Sequence, residues 1–336
     1  MIKNAHLNDR RGFVLVTVLL LVVLLAGMLL EFNYESRMNL HVSDYRLQST
    51  QALWCAEAGV NAALAAIRDG EVEAGPTIPD APLHLRIADA GDCTVVVTLE
   101  NGKLNANGLR MPEGQLDRRR IECLLRLVDL LNRRHSRNSP IGYGIVPAIV
   151  DWTDRDGDVT HLPSVERENE GAEDEYYQGL PHPRRCRNRP LDSVRELLLV
   201  RGITAEIFDS PPRASDDDQA VPGLSRLVTV YGDGKTDINH APRLVVESLS
   251  ELIDPGLAQS IVDHRPYASV GELAGVPGMS MAVLNAIGSL ITVRPAAGFY
   301  RIESVGRVGE FERRIAVIAT KNGKTGSMTV LLREEP

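Results

Sequence analysis

The stretch Arg10-Arg11-Gly12-Phe13-Val14-Leu15-Val16-Thr17, continuing as VLLLVVLLAGMLL to Leu30, decides how the rest of the chain is read. From Phe13 to Leu30, eighteen residues pass without a charge. As a helix they rise about 27 Å, close to the hydrocarbon thickness of a bilayer. Before them, MIKNAHLNDRRG sets Lys3, Arg10 and Arg11 against Asp9 alone. That excess of basic residues favours a cytoplasmic N-terminus, with the bulk of the chain on the other side. A secretory signal peptide has a shorter apolar region and ends at a small-residue cleavage site. This run ends instead in Leu-Leu-Glu-Phe-Asn-Tyr-Glu. A plain signal anchor is the simplest reading.

Composition narrows the choice further. With 336 residues and 43% hydrophobic content, bulk disorder is excluded and more than one folded unit is expected. A net charge of −8 argues against a general nucleic-acid binder, which needs a basic face. The cysteines Cys55, Cys93, Cys123 and Cys186 form no C-x-x-C pair, which disfavours a zinc or thioredoxin-like site. Catalysis has little support: the eight histidines are dispersed, and neither G-x-S-x-G nor H-E-x-x-H occurs. The chain is therefore read as a structural and interaction protein, not an enzyme.

Where the basic residues meet the apolar run, the sequence resembles a prepilin-type leader. In that family a dedicated peptidase cuts after the glycine and methylates the new N-terminus. The resemblance implies a leader at residues 1–12, cleavage between Gly12 and Phe13, and methylation of Phe13. Most pilins carry a glutamate at the fifth mature position, where this chain has Thr17. The leader holds three basic residues and one acidic, so the mature chain keeps 34 Lys+Arg against 44 Asp+Glu, a net of −10.

Beyond the membrane segment at 13–30, residues 31–70 read as a continuation of the same helix. There is no proline from Glu31 to Asp69, Gly59 is the one glycine, and Leu40, Leu47, Trp54, Val60, Leu64 and Ile67 keep helical spacing. Gly70 is the expected C-cap. Leu83–Ile87 and Cys93–Leu99 read as strands within a first strand region at 80–110. Phe299–Val308, Arg314–Thr320 and Met328–Arg333 form a second, at 295–336, with a turn at Asn322–Gly326.

The stretch between them is helical in pattern. Ile121, Leu124, Leu125, Val128 and Leu131 mark one helix face, and Ser193-x-x-Glu196 is a capping box opening Val194–Val200. Pro242–Leu252, Gly256–His264 and Ser280–Leu290 are further helices. A first helical, SAM-like insertion is expected at 111–209. A Pro- and Asp-rich linker follows at 210–236, and a second helix-hairpin-helix or SAM-like region at 237–294. The fold class is thus α+β: a pilin-like long N-terminal helix packed on an antiparallel sheet, with a large inserted α-helical domain.

Five strings occur in order: Gly102-Lys103-Leu104-Asn105-Ala106-Asn107, Asp151-Trp152-Thr153-Asp154-Arg155-Asp156, Gly171-Ala172-Glu173-Asp174-Glu175-Tyr176-Tyr177, Arg195-Glu196-Leu197 through Val200-Arg201-Gly202, and Asp237-Ile238-Asn239-His240-Ala241-Pro242. Together they resemble the general secretion pathway protein K family, large minor pseudopilins of type II secretion that lack the fifth-position glutamate. His240 departs from that family's usual threonine.

The resemblance implies a subunit at the tip of a short periplasmic pseudopilus, helping to start its assembly and the export of folded proteins. Its implied partners are the I and J minor pseudopilins, other pseudopilins, the prepilin peptidase, secreted substrates and the inner membrane. The soluble part would be periplasmic. The competing readings are a membrane-anchored helix-hairpin-helix DNA-uptake protein and a minor pilin of a related type IV filament. Against DNA, Asp237–Arg294 holds three arginines, no lysine and six acids, which would repel phosphates.

Asp151, Asp154, Asp156 and Asp158 crowd eight residues, with Glu170, Glu173, Asp174 and Glu175 close behind. Hard cations need several carboxylate oxygens brought together by loops. An EF-hand is excluded, because its glycine and final glutamate positions fall on Val159 and Val165. The family resemblance implies Ca²⁺ in the helical domain, with Asp151, Asp154, Asp156, Asp158, Glu173 and Asp174 as candidate ligands. The alternative is a solvated acidic loop with capping aspartates. Oxidation outside the membrane would pair Cys93 with Cys123 or Cys186.

Overall fold

Without a proline to interrupt it, one helix, α1 (Arg10–Asp69), runs for 60 residues in the computed structural model. The structure describes residues 10–70, 82–87, 91–111, 113–134, 140–162, 169–209, 222–322 and 326–335. Most of the leader (residues 1–9) and part of the Asn322–Gly326 turn lie outside these. After α1 come β1 (Leu83–Ile87), β2 (Gly91–Leu99), β3 (Leu104–Asn105), α2 (Arg118–Arg134), α3 (Ile145–Thr153), α4 (Asp174–Gln178) and α5 (Ala205–Phe208). Then follow β4 (Val228–Thr229), β5 (Thr236–Asp237), α6 (Arg243–Ser248), α7 (Pro255–Asp263), α8 (Met281–Ile287) and β6 (Ile291–Thr292). The chain closes with β7 (Gly298–Val308), β8 (Phe311–Lys321) and β9 (Met328–Glu334).

Residues 13–30 of α1 are exposed throughout, and their length and composition suffice to cross a membrane. The distal part behaves differently. Ala52, Cys55, Ala56, Val60, Ala63 and Ile67 are buried along one stripe, which packs on β2, β7 and β8. Small residues let the backbones approach. A side chain at Gly306 of β7 would collide with the Ala52 carbonyl and the Ala56 amide, and would lie 3.0 Å from the Cys55 Cβ. One at Gly59 would meet Ser304, with Val95 at 2.7 Å and the Cys93 sulfur at 2.8 Å. Helix and strand thus each contribute a glycine where they cross.

The sheet runs β1-β2-β7-β8-β9, every pair antiparallel. β2 and β7 are neighbours, from Asp92↔Arg307 to Leu99↔Tyr300, although most of the chain separates them in sequence. Everything between Leu99 and Gly298 is therefore an insertion at one end of the sheet. Lys321, paired with Gly298, donates to the Ile67 carbonyl at 2.8 Å, so that end lies at the C-terminus of α1, away from residues 13–30.

The insertion has its own core, formed by buried residues from Leu104 to Ile291. One expectation needs correcting. Residues 210–221 lie outside the described residues, but 222–236 are not a linker: Leu224, Leu227, Val228 and Val230 are buried, and β4 pairs in parallel with β3. The apolar run LSRLVTV following the polar stretch is part of the core, which is why composition placed the linker's far edge too late. Residues from 111–209 and 237–294 share one core, in which α2 packs directly on α6.

Smaller differences follow from local bonding. Val194–Leu199 is a 3₁₀ helix, with the Glu196 carboxylate accepting from the Asp192 and Ser193 amides at 3.0 and 3.2 Å. α6 stops at Ser248, whose hydroxyl donates back to the Val245 carbonyl at 2.7 Å. All four cysteines are buried free thiols. Cys93 sits in the sheet core, whereas Cys123 and Cys186 sit in the helical core, so neither expected pairing with Cys93 forms.

The string Gly102–Asn107 turns out to be the junction between the two cores. Lys103 and Glu100 form a buried ion pair at 2.6 Å, and the Lys103 ammonium also donates to the Ser225 carbonyl. Asn101 donates to the Ala297 carbonyl and accepts from the Phe299 amide at 2.8 Å, joining the strand that leaves the sheet to the one that returns. Asn107 donates to the Leu191 and Val230 carbonyls and accepts from the Leu191 amide.

The crossing of α1 over β7 generates a direct prediction. Gly306→Val forces a side chain against helix backbone that cannot move aside, and should cost about 3 kcal/mol of stability. Urea unfolding followed by circular dichroism measures it. An unchanged midpoint would mean that α1 is not seated on the sheet in this register.

Candidate functional site

α3 is apolar along almost its whole length and is buried with it, so Asp151 in its last turn is carried into the core. Asp154 ends the helix as its C-cap, its amide donating to the Val150 carbonyl at 3.0 Å. Glu173 immediately precedes α4. The rings of Trp152 and Tyr177 meet edge to face at 4.9 Å and hold α4 against α3. One ligand atom from each of Asp151, Asp154 and Glu173 lies within 4.8 Å of the others, and all three side chains are at least 95% buried.

Hydrogen bonding leaves the cluster incomplete. Asp151 Oδ1 accepts from the Thr160 amide at 3.0 Å, whereas its Oδ2 has no partner. Asp154 Oδ2 is bound by the Arg110 guanidinium, and its Oδ1 has no partner. Both Glu173 oxygens lack one. Buried polar atoms are normally bonded, so four orphaned carboxylate oxygens around one point call for an occupant. Three carboxylates against one guanidinium carry a formal net charge of −2.

Burial raises the Asp151 carboxyl above its ordinary range. It also pushes Asp154 up to about 7, outweighing the neighbouring Arg110. Glu173 rises to about 7 as well, first through burial and then through the charges of Asp151 and Asp154.

Gly171 belongs to the same design. A side chain there would collide with Asp151 Oδ2, and the Gly171 carbonyl accepts from Arg201 at 2.9 Å. The Arg201 amide in turn donates to the Tyr177 hydroxyl at 3.2 Å. Strings distant in sequence thus converge on one spot.

Of the six acids expected as ligands, Asp151, Asp154 and Glu173 come together. Asp156 and Asp158 lie on an exposed loop, where Asp156 Oδ1 accepts from the Asp158 amide and Oδ2 lies 3.5 Å from Arg110. Asp174 accepts from the Cys186 amide at 2.6 Å. Arg110 and Cys186, which border the site, were not singled out as part of it. Both come from segments far from the acidic strings, and no local spacing marks them. At the other end of the molecule, Gly12 and Phe13 lie in the first turns of α1, and the Thr17 hydroxyl donates to the Phe13 carbonyl at 2.8 Å.

The donor set fits a hard divalent cation such as Ca²⁺, since all three side chains offer carboxylate oxygens. Without a cation, the folded state holds protons that the unfolded chain, with carboxyls near 4, releases. Folded pKa values raised to about 7 therefore make cation-free stability fall as pH rises from about 4 to 7, by on the order of 3 kcal/mol for each of the two groups. In chelator, the full chain in detergent should melt higher at pH 5 than at pH 7.5. Glu173→Gln should flatten that slope. An equal slope in wild type and variant would mean that Glu173 ionises freely in the fold.

Comparison with known proteins places these residues in a wider group. Residues 102–210, which include the Gly102–Asn107 junction and all three clustered acids, match the family model described as type II secretion system (T2SS), protein K. The type II secretion system protein K of Aeromonas hydrophila is 27% identical over 190 residues, 56% of this chain and 53% of that protein. The chain thus spans about half the length of the curated relative it matches. The crystal structure of the GspK-GspI-GspJ complex from the enterotoxigenic Escherichia coli type 2 secretion system contains a similar chain. Its TM-score is 0.61 at 17% identity, covering 88% of this chain and 99% of that one, and it shares the fold. Over residues 102–210 this chain is thus similar to type II secretion system protein K, and its fold is that of the GspK chain.

Proposed function

We propose that the chain is a minor pseudopilin at the tip of a type II secretion pseudopilus, anchored in the inner membrane with its N-terminus in the cytoplasm. The observation that carries this reading is the position of the insertion. Residues 100–297 leave and rejoin the sheet at the end farthest from the membrane helix. A domain of that size blocks the axial space where a further pilin-like subunit would stack, so the chain fits only at the end of a filament. Thr17 supports the same placement: its hydroxyl is satisfied by its own helix and offers no carboxylate to an amino terminus above.

On this reading the role is structural, and the partners are the I and J minor pseudopilins, which the solved Escherichia coli complex contains beside GspK. The prepilin peptidase would remove residues 1–12 and leave Phe13 as the methylated first residue. Other pseudopilins below the tip and exported proteins complete the set of contacts. Ca²⁺ would be held by Asp151, Asp154 and Glu173, where it neutralises the buried charge and fixes the α3–α4 loop.

Mass spectrometry of the protein isolated from membranes tests the reading. The expected species begins at a methylated Phe13 and contains 324 of the 336 residues. A chain that keeps Met1 in the presence of an active prepilin peptidase would overturn it. Coexpression with I and J pseudopilins should also yield a stable three-protein complex, lost when the insertion is deleted from Leu104 to Thr292.

A further inference from the structure

Where α1 crosses the sheet, three glycines leave a notch, and two thiols occupy it. Cys55 on α1 and Cys93 on β2 are 1% and 0% exposed. Gly306 is the residue paired with Cys93 across the β2–β7 ladder, and Gly91 precedes Cys93 by two residues on the same face of β2. The Cys55 Cβ lies 3.0 Å from where a side chain at Gly306 would begin, and the Cys55 sulfur lies 3.1 Å from the same point at Gly91. On the helix, Gly59 follows Cys55 by one turn, and the Cys93 sulfur lies 2.8 Å from the place of its missing Cβ. Each cysteine thus fills the space left bare beside the other. Cys123 and Cys186 belong to the core of the insertion and compete with neither.

We propose that Cys55 and Cys93, free thiols in this structure, are a modification site: they form a disulfide as α1 seats on the sheet and tie the helix to β2. Residues paired directly on one sheet face hold their Cβ atoms about 4.5–5.5 Å apart, and a disulfide needs about 3.8 Å. Cys55 stands close to the place of the cross-strand neighbour that Gly306 does not supply, so the bond asks for a short approach between elements already in contact. Burial pushes both thiols above their ordinary range, so the bond forms during docking, while solvent still reaches the sulfurs. The step is thiol–disulfide exchange. One cysteine thiolate attacks a disulfide oxidant and expels one of its thiolates, and the second cysteine attacks the mixed disulfide and expels the other. Two protein thiols are oxidised, the oxidant is reduced to two thiols, and the two protons pass to them. The oxidant is a disulfide of the compartment beyond the membrane, and in that respect alone the inference rests on the proposed location.

The full chain in detergent, reduced in urea and refolded in a glutathione redox buffer, tests the pair. Thiols left after refolding are alkylated in denaturant, and the digest is mapped by mass spectrometry without reduction. The expected map holds one peptide linked through Cys55 and Cys93, with Cys123 and Cys186 alkylated. The oxidised chain should unfold at a urea midpoint about 1 M above that of the reduced chain. Cys55→Ser should leave Cys93 alkylated and abolish the shift, whereas Cys123→Ser should keep both link and shift. Alkylation of every cysteine after refolding overturns the proposal, as does a link that engages Cys123 or Cys186. Mapping protein isolated from membranes separates the pairing from the location. A link that forms on refolding and is missing from membranes supports the pair and counts against an oxidising compartment around the soluble part.

Discussion

The architecture beyond the apolar segment depends on a contact from which side chains have been nearly removed. Gly306 lies directly beneath the backbone of Ala52 and Ala56, and Gly59 lies against Ser304, Val95 and Cys93. Backbone approach this close fixes where α1 crosses the sheet, because any Cβ at either glycine would lift the helix. It also sets the register between the membrane segment and everything beyond it. Val60, Ala63, Ile67, Val95, Ile302, Ile315 and Val317 are then buried together in one core. The rest of the molecule is held at a defined distance from residues 13–30 by a rigid rod with a single seating.

From that seat the second core is suspended through polar groups rather than apolar ones. Glu100, Asn101, Lys103, Asn105 and Asn107 occupy a short stretch just after β2, and each bonds a group distant in sequence or pairs within the junction. Buried hydrogen bonds of this kind are directional, and leaving one unmade costs more than making it gains. They therefore specify one orientation of the helical insertion on the sheet, where an apolar interface would tolerate sliding. The orientation of the insertion at the far end of the sheet is thereby a property of the fold and not of a partner.

Much of this was legible in the sequence because its signals are local. The charge-free run, the proline-free helix and the β-branched strands each announce themselves within a few residues, and strand limits such as Leu83–Ile87 coincide with those observed. Long-range facts were legible only through the resemblance to a family. The pairing of β2 with β7 across the insertion depends on residues more than 200 positions apart, as in Val97↔Ile302 and Leu99↔Tyr300. Residues 222–236 were misread because polarity ends before the core begins, and only tertiary contact shows where. At the acidic cluster, density along the chain identified the region but not the members. Asp156 and Asp158 look equivalent to Asp151 and Asp154 in sequence, and the difference between them is burial. The apolar faces of α3 and α4 impose that difference, whereas Arg110 and Cys186 reach the site from segments that carry no motif.

The buried acids also tie the insertion's stability to its surroundings. Three carboxylates in a core are unfavourable unless protonated, paired or bound to a cation, and Arg110 answers for only one of them. At neutral pH the cation-free fold must therefore hold protons near their release point. A ligand present at about 100 times its dissociation constant contributes about 2.7 kcal/mol to the folded state. That offsets most of the cost of ionising one of Asp154 and Glu173 in place, about 3 kcal/mol each, so ionising both would need a larger excess of ion. Asp154 and Glu173 flank the chain between α3 and α4, so the state of their carboxyls bears directly on how those two helices are joined. None of these acids belongs to the core between α1 and the sheet, so the pH dependence they impose falls on the insertion and not on the seating of α1.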